Sequence, residues 1–246
     1  GHSQGLGGTD NRSRAGAADA AAAEGTDLLS LFVFDDSVLE HAGSPRVAYL
    51  VAALAELREW YRDRGGDLLI RHGDPESVVV DVATTVAADR VVWNKNYSGV
   101  ARDRDTAVRQ ALDDADIARE SFHDAICHEP GSITTNDGDP YSVFTYFGRK
   151  WHDREKDDPY SAPTADDLVD GDALGVDAGE IPTLADLGFD EPEADLPDAG
   201  MAAARDRLHA FCDDGIYRYD SDRDYPTRES TSRLSADLTH GTIGIR

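Results

Sequence analysis

The chain has 246 residues, of which 40% are hydrophobic, so it is long enough to build one or two domains with a true core. It carries 49 Asp and Glu against 24 Lys and Arg, which gives a formal net charge of −25. Such a chain repels itself in dilute salt, so the composition indicates a salt-rich cytoplasm in which mobile ions screen the charge. The acidity therefore does not exclude DNA as a partner.

Several classes of protein are excluded by what the sequence lacks. The two cysteines, Cys127 and Cys212, show neither a zinc-type spacing nor a disulfide framework, which indicates a reducing cytosol. The apolar runs are shorter than the ~18–20 residues that span a bilayer, and the amino terminus has no signal-peptide pattern. The histidines show no metal-ligand spacing. We expect a cytoplasmic protein with no membrane segment and no metal.

Short strands alternate with helices through the first half of the chain. Gly5, Gly7 and Gly8 lack the spacing of a phosphate loop. Helices are predicted over 17–23, 44–61, 74–86 and 101–115, and strands over 28–34, 67–71, 90–93 and 118–122. This alternation predicts an α/β fold, a Rossmann-like parallel sheet with helices on both faces.

The pattern changes after residue 155. Residues 156–200 contain five prolines and many aspartates with little periodicity, which predicts a long acidic connector between domains. A helix is predicted over 201–211, and residues 232–238 are expected to begin another, starting at residue 232. The chain therefore begins a second, helical unit after the connector.

Two segments stand out chemically, although neither is a catalytic constellation. Residues 138–151 are rich in aromatic side chains, which indicates a helix packing an aromatic face on a neighbouring domain. Residues 219–235 combine an aromatic residue, arginines and a run of hydroxyls at a helix start. Hydroxyls and backbone N–H groups there can bind a phosphate, and an ordinary capped helix explains the pattern equally well.

The two segments resemble the motifs of the DNA photolyase/cryptochrome family. The first reads Gly138-x-x-Tyr141-x-Val143-Phe144-Thr145-x-Phe147 and is followed by Trp151. The second reads Tyr219-x-x-x-Arg223-Asp224-x-Pro226, then Thr231-Ser232-Arg233-Leu234-Ser235-x-x-Leu238-x-x-Gly241-x-Ile243-x-x-Arg246. The likeness also takes in FVFDDSVL at 32–39 and covers nearly the whole chain from about residue 26.

The resemblance implies a domain organisation for a partial chain. Residues 1–135 would form the photolyase-type antenna domain, with the Gly-rich stretch GHSQGLGG standing in place of the family's first, central strand. Residues 136–200 would be the interdomain motif and acidic connector. Residues 201–246 would begin the all-α FAD-binding domain.

The resemblance also implies a light-driven lyase acting on UV-damaged DNA, in which reduced FAD donates an electron to a cyclobutane pyrimidine dimer flipped from the duplex. Arg223 would contact the DNA backbone, and no catalytic side chain is assigned. The antenna chromophore would be a deazaflavin or a folate, and Ala101, where folate-binding members have glutamate, favours the deazaflavin. The full-length protein would be a monomer. The residues expected to contact FAD are Tyr219, Thr231, Ser232, Arg233, Leu234 and Ser235, with Thr231 and Ser232 on its phosphates.

Two alternatives to repair stay open at this point. One is a cryptochrome-type blue-light photoreceptor, and the other is a non-catalytic α/β module that holds a chromophore. Four arginines recur every five residues in and next to the second segment: Arg218, Arg223, Arg228 and Arg233. They would either form a local basic patch for DNA or pair with the acids between them.

Overall fold

The computed structural model describes residues 5–246, and in that range it contains four β-strands and nine α-helices. The strands are β1 (Ser30–Phe34), β2 (Leu68–His72), β3 (Arg90–Asn94) and β4 (Ala118–Phe122). The helices are α1 (Arg12–Glu24), α2 (Asp36–Leu39), α3 (Ser44–Arg62), α4 (Pro75–Thr85), α5 (Gly99–Asp114), α6 (Phe144–Asp153), α7 (Met201–Ala210), α8 (Ile216–Asp222) and α9 (Ser235–His240). Residues 1–4 of the Gly-rich stretch lie outside the described range.

All four predicted strands are present, and the α/β fold class is confirmed. The strands are parallel within two pairs, β1 with β2 and β3 with β4, in registers that align Ser30 with Leu68 and Arg90 with Ala118. The structure departs from the expectation of one sheet, because the two pairs form separate two-stranded sheets. The division falls between β1 and β3.

The alternation of side chains along β1 explains why helices cover both faces. Phe32 and Phe34 pack into one apolar cluster with residues of α3, including Leu54 and Tyr61. Val33, on the opposite face, packs into a second cluster with residues of α4 and α5. A strand buried on both faces reads as a continuous apolar run, which is why LLSLFVF predicts it so clearly.

The acidic connector lies against the α/β domain. The main chain at Leu168 forms a parallel bridge with Leu28, just before β1. Further on, the N–H of Ile70 in β2 donates to the carbonyl of Ala178 at 2.8 Å. Arg58 of α3 donates to the carbonyl of Gly179 at 2.7 Å and also pairs with Asp67, the residue before β2. The connector thus covers the outer edge of β2.

The helical region after the connector differs in detail from the sequence prediction. The helix predicted over 201–211 is α7, and it continues through a π-helical turn, Phe211–Gly215, into α8, which was not predicted. The helix expected from residue 232 begins only at Ser235. Arg233 has a φ of 51°, in the left-handed region, so the α-helical path cannot pass through it.

Leu54 tests the core beneath β1 because its side chain is 0% exposed. We expect Leu54→Ala to lower the free energy of unfolding by about 3 kcal/mol, from lost burial and the cavity left behind. Urea unfolding in molar KCl measures this change. Leu174→Ala is the matched control, because Leu174 is exposed. Equal losses in both variants would contradict this description of the core.

Candidate functional site

Tyr219 lies in the middle of α8, and Arg223 directly follows this helix; both are on the surface. The Tyr219 side chain is 41% exposed and its ring lies edge-on to Phe211, with ring centroids 6.2 Å apart. The Arg223 guanidinium stacks over the Tyr219 ring at 5.6 Å and lies 3.6 Å from Asp220. The two residues expected to contact different partners, cofactor and DNA, therefore touch each other.

The hydroxyl-rich segment 231–235 forms the turn that leads into α9. Within residues 5–246, the hydroxyls of Thr231, Ser232 and Ser235 make no hydrogen bond to another protein group, and Thr231 and Ser235 are exposed. Leu234 is buried and fixes this turn against the domain. The segment thus presents uncommitted hydroxyl donors to solvent from a backbone that is anchored.

The structure brings the two parts of the second motif, residues 219–226 and residues 231–246, close together. A Cβ placed on Gly215, at the start of α8, would lie 3.7 Å from the main chain of Ser230, and Ser230 is itself buried. Arg228, between the segments, pairs with Asp222 at the end of α8. The aromatic face of α8 and the hydroxyl turn therefore belong to one surface region.

The arginines of this region pair with neighbouring acids. Arg218 contacts Asp214 at 2.6 Å, and Arg233 contacts Glu229 at 3.6 Å. Arg223 pairs with Asp220, and Arg228 pairs with Asp222. These pairs are exposed, so each is weak, but together they offset the local positive charge. Of the two sequence alternatives, the geometry favours pairing with the acids over a free basic patch.

A buried carboxylate fixes α9 to the rest of the molecule. Asp237 is 0% exposed, and its Oδ1 accepts hydrogen bonds from the Tyr49 hydroxyl at 2.7 Å and the Thr242 hydroxyl at 3.0 Å. Arg207 of α7 donates to both of its oxygens, at 2.6 and 3.1 Å. One side chain therefore joins α3, α7 and α9. Its role cannot be read from the sequence, because residue 237 is an unspecified position of the second motif.

The environment of Asp237 changes the titration of its neighbours. Burial, together with the adjacent carboxylate, raises the pKa of Tyr49 to about 12. Burial lowers the pKa of His240, whose ring lies 5.0 Å from that of Tyr49. Both groups are therefore uncharged near neutral pH.

Arg246 closes the same region on its other side. Its side chain is 4% exposed and its Nη1 donates to Asp10 and to Asp124, each at 2.9 Å. A side chain on Gly244 would collide with Asp10, so glycine is required for this approach. Gly241, Ile243 and Arg246 are positions at which the sequence matches the second motif. The structure shows in addition that Arg246 joins this motif to loops of the α/β domain.

The aromatic motif is helical, as predicted, but its packing differs from the expectation. Phe144 is 80% exposed and Tyr146 is 60% exposed on α6. Within the described part of the chain, α6 buries none of its residues. The aromatic face predicted to pack on a neighbouring domain is therefore open to solvent. Ala101, the residue on which the antenna prediction rests, is buried in α5.

Among residues 5–246, none of the helices is both long and apolar enough to cross a membrane. The same residues contain no group of three or more His, Cys, Asp or Glu side chains that could hold a metal ion.

Comparison with known proteins identifies relatives along the whole chain. The family model described as DNA photolyase matches residues 8–165. A deoxyribodipyrimidine photo-lyase of Halobacterium salinarum is 55% identical over 251 residues, which cover 100% of this chain and 52% of the relative. The chain thus spans about half the length of this curated relative. A Halobacterium relative fits the salt-adapted composition.

Solved structures show the same architecture. A bacterial class III photolyase from Agrobacterium tumefaciens superposes with a TM-score of 0.81 at 26% identity, covering 99% of this chain and 50% of that one. An archaeal photolyase from Sulfolobus tokodaii, solved with two FAD molecules, superposes with a TM-score of 0.76 at 21% identity, covering 98% and 51%. At that identity the second likeness concerns the fold alone.

The Asp237 cluster yields a stability prediction. We expect Asp237→Asn to lower the free energy of unfolding by about 3 kcal/mol, because the change leaves Arg207 without its buried counter-charge. Asp206→Asn on the exposed side of α7 is the matched control, and it should change stability little. Urea unfolding of both variants in molar KCl measures the difference. If the two variants unfold alike, Asp237 does not anchor α9.

Tyr49 yields a prediction in alkali. Because its pKa is raised in the fold, the unfolded chain loses this proton first, and stability falls as pH rises from about 10 to about 12. The full decline amounts to about 3 kcal/mol. Tyr49→Phe should be less stable at neutral pH but should lack this part of the decline, as measured by urea unfolding across that range. Tyr217→Phe, at an 83% exposed position, should keep the wild-type slope.

Proposed function

The chain belongs to the DNA photolyase family, and we propose that it serves the light-driven repair of cyclobutane pyrimidine dimers in UV-damaged DNA. The 55% identity to a deoxyribodipyrimidine photo-lyase along the entire chain carries this proposal. The match covers 52% of that relative, so the activity proposed is that of the whole enzyme to which such a chain contributes. We propose that the full-length protein is a monomer in the cytoplasm.

The residues present fit one side of an FAD site. The hydroxyls of Thr231, Ser232 and Ser235 have no protein partner among residues 5–246, as phosphate ligands require, and their turn is anchored by the buried Leu234. Tyr219 presents a half-exposed ring beside them. Reduced FAD, when bound, supplies the electron that splits the dimer. The role of this chain is to bind and orient the group, and we assign it no catalytic residue.

Arg223 is proposed to contact a DNA phosphate. Its present partners are the exposed Asp220 and the Tyr219 ring, and neither holds it tightly. A DNA phosphate can accept two parallel hydrogen bonds from a guanidinium, whereas the Asp220 contact is a single exposed one at 3.6 Å, so exchange from Asp220 to DNA is favourable. The α/β domain is proposed to hold the antenna chromophore, and the buried Ala101 favours a deazaflavin over a folate there.

The flavin site is tested by titrating the purified chain with FAD in molar KCl and following flavin absorbance and fluorescence. We expect Thr231→Val combined with Ser232→Ala to weaken FAD binding by about tenfold, because two phosphate donors are lost. Thr227→Val is the matched control, since Thr227 is an exposed hydroxyl outside the signature turn. Equal binding by all three proteins would contradict the assignment of the turn.

The repair function itself is tested by illuminating a full-length enzyme that contains this chain, with reduced FAD and UV-damaged DNA, and counting the dimers that remain. Light-dependent loss of dimers supports the proposal. Flavin photoreduction without dimer loss would instead favour the photoreceptor alternative. Binding of a deazaflavin or folate without FAD would favour the non-catalytic chromophore module.

A further inference from the structure

A π-helical turn interrupts the helical stretch that runs from α7 into α8. The N–H of Ile216 donates to the carbonyl of Phe211, five residues earlier, which closes the turn over Phe211–Gly215. Just before it, the N–H of Phe211 still makes the ordinary α-helical bond to the carbonyl of Arg207. A π turn inside an α-helix holds one residue more than an α turn, and such turns are frequent at functional sites.

The additional residue changes which side chains share a face of the helix. In a regular α-helix, residue 219 is rotated by about 80° from residue 211, because eight steps of about 100° exceed two full turns by that angle. With one additional residue in the turn, residue 219 takes the angular place of a seventh step, which is within about 20° of residue 211. The turn thus aligns a row of four residues, which we call the aromatic row: Phe211, Gly215, Tyr219 and Arg223.

The side chains of the aromatic row contact one another in order. A Cβ placed on Gly215 would lie 2.8 Å from the Phe211 ring, so this ring passes over the glycine toward α8. Phe211 then meets Tyr219 edge-on, and the Arg223 guanidinium stacks over the Tyr219 ring. A tyrosine ring held between a second ring and a guanidinium is restricted in its orientation, so the row fixes the direction of Tyr219.

The aromatic row lies beside the hydroxyl turn at 231–235. The place that a Cβ of Gly215 would take is 3.7 Å from the main chain of Ser230, the buried residue that precedes this turn. Tyr219 follows Gly215 by about one turn of the helix and on the same face. The rotation of α8 about its own axis therefore decides whether the Tyr219 ring is on the side of the hydroxyls.

The π turn bulges toward solvent. Cys212, Asp213 and Asp214 are exposed, and Gly215 is the buried residue of the turn. The additional residue is thus accommodated outside the apolar core, and its removal leaves no cavity there. Filling the core does not require this turn, and its structural consequence is the rotation of α8 relative to α7.

We propose that the π turn positions the flavin-site tyrosine: it rotates α8 so that the Tyr219 ring lies on the side of the hydroxyl turn, where FAD is proposed to bind. Phe211 and Gly215 are positioning residues, because they hold Tyr219 and are not assigned to the cofactor. This inference rests on the proposed flavin site. It adds to that site two residues that precede the second motif.

Deletion of Cys212 tests the rotation, because it converts the π turn into an α turn and rotates α8 by about 100°. Cys212→Ala is the matched control, since it keeps the number of residues in the turn and Cys212 is exposed. Fluorine NMR of a full-length enzyme that contains this chain and is labelled with fluorotyrosine reports on Tyr219, whose signal is the one lost in Tyr219→Phe. We expect the deletion to shift this signal and Cys212→Ala to leave it in place.

Titration of the same proteins, freed of flavin, with FAD tests the consequence for the site. We expect the deletion to weaken FAD binding about tenfold and Cys212→Ala to leave it within about twofold of the wild type. Phe211→Leu removes the ring that meets Tyr219 and should weaken binding about threefold, whereas Phe211→Tyr keeps a ring and should bind as the wild type does. Urea unfolding in molar KCl shows which variants keep the fold.

The outcomes separate this inference from the proposed flavin site. A wild-type enzyme that binds no FAD contradicts the flavin site and the inference with it. Equal FAD binding by the wild type and the folded deletion variant overturns the inference alone, as does an unshifted Tyr219 signal in that variant. If the deletion variant does not fold, the two Phe211 variants decide, and equal FAD affinity of Phe211→Leu and Phe211→Tyr overturns the inference.

Discussion

The buried carboxylate of Asp237 is the contact on which the arrangement of the second half of the chain depends. It accepts hydrogen bonds from α3 and from the turn after α9, and it pairs with an arginine of α7. Removing a carboxylate from water is costly, and the cost is recovered only when charge and geometry are both satisfied. Because each donor comes from a different element, the cluster is complete only when all of them are in place.

A second cluster of ion-paired side chains forms around Arg246, close to the carboxyl end of β4. One guanidinium satisfies two buried aspartates that come from different loops. The planar, permanently charged guanidinium suits such buried pairs, whereas a lysine would offer a single point charge. The low lysine content and the abundance of arginine in this acidic chain are thus compatible with firmly held internal contacts. The segment that carries the second motif, residues 219–246, is fixed at both Asp237 and Arg246, and its hydroxyl turn stays exposed.

Particular elements show where sequence reasoning succeeded. The strand at 28–34 and the helix beginning at Ser44-Pro45 were predicted because burial on two faces and helical periodicity leave local patterns. The helix α8 was not predicted, because its mixture of tyrosine, aspartate and arginine has no apolar face. The start of α9 was placed three residues early, because the sequence does not show that Arg233 adopts a left-handed conformation. The exposure of the α6 aromatic face also could not be read from its composition.

The sequence by itself determined the alternation of strands and helices, the family resemblance and the hydroxyl-rich turn proposed to bind a cofactor. These follow from local periodicity and from motifs in which neighbouring residues act together. Only the tertiary structure decided that the sheet is divided at β1 and β3, that the connector covers β2, and that Tyr49 meets Asp237 across 188 positions of the chain. Such contacts depend on burial and on geometry between distant segments, and no local pattern encodes them.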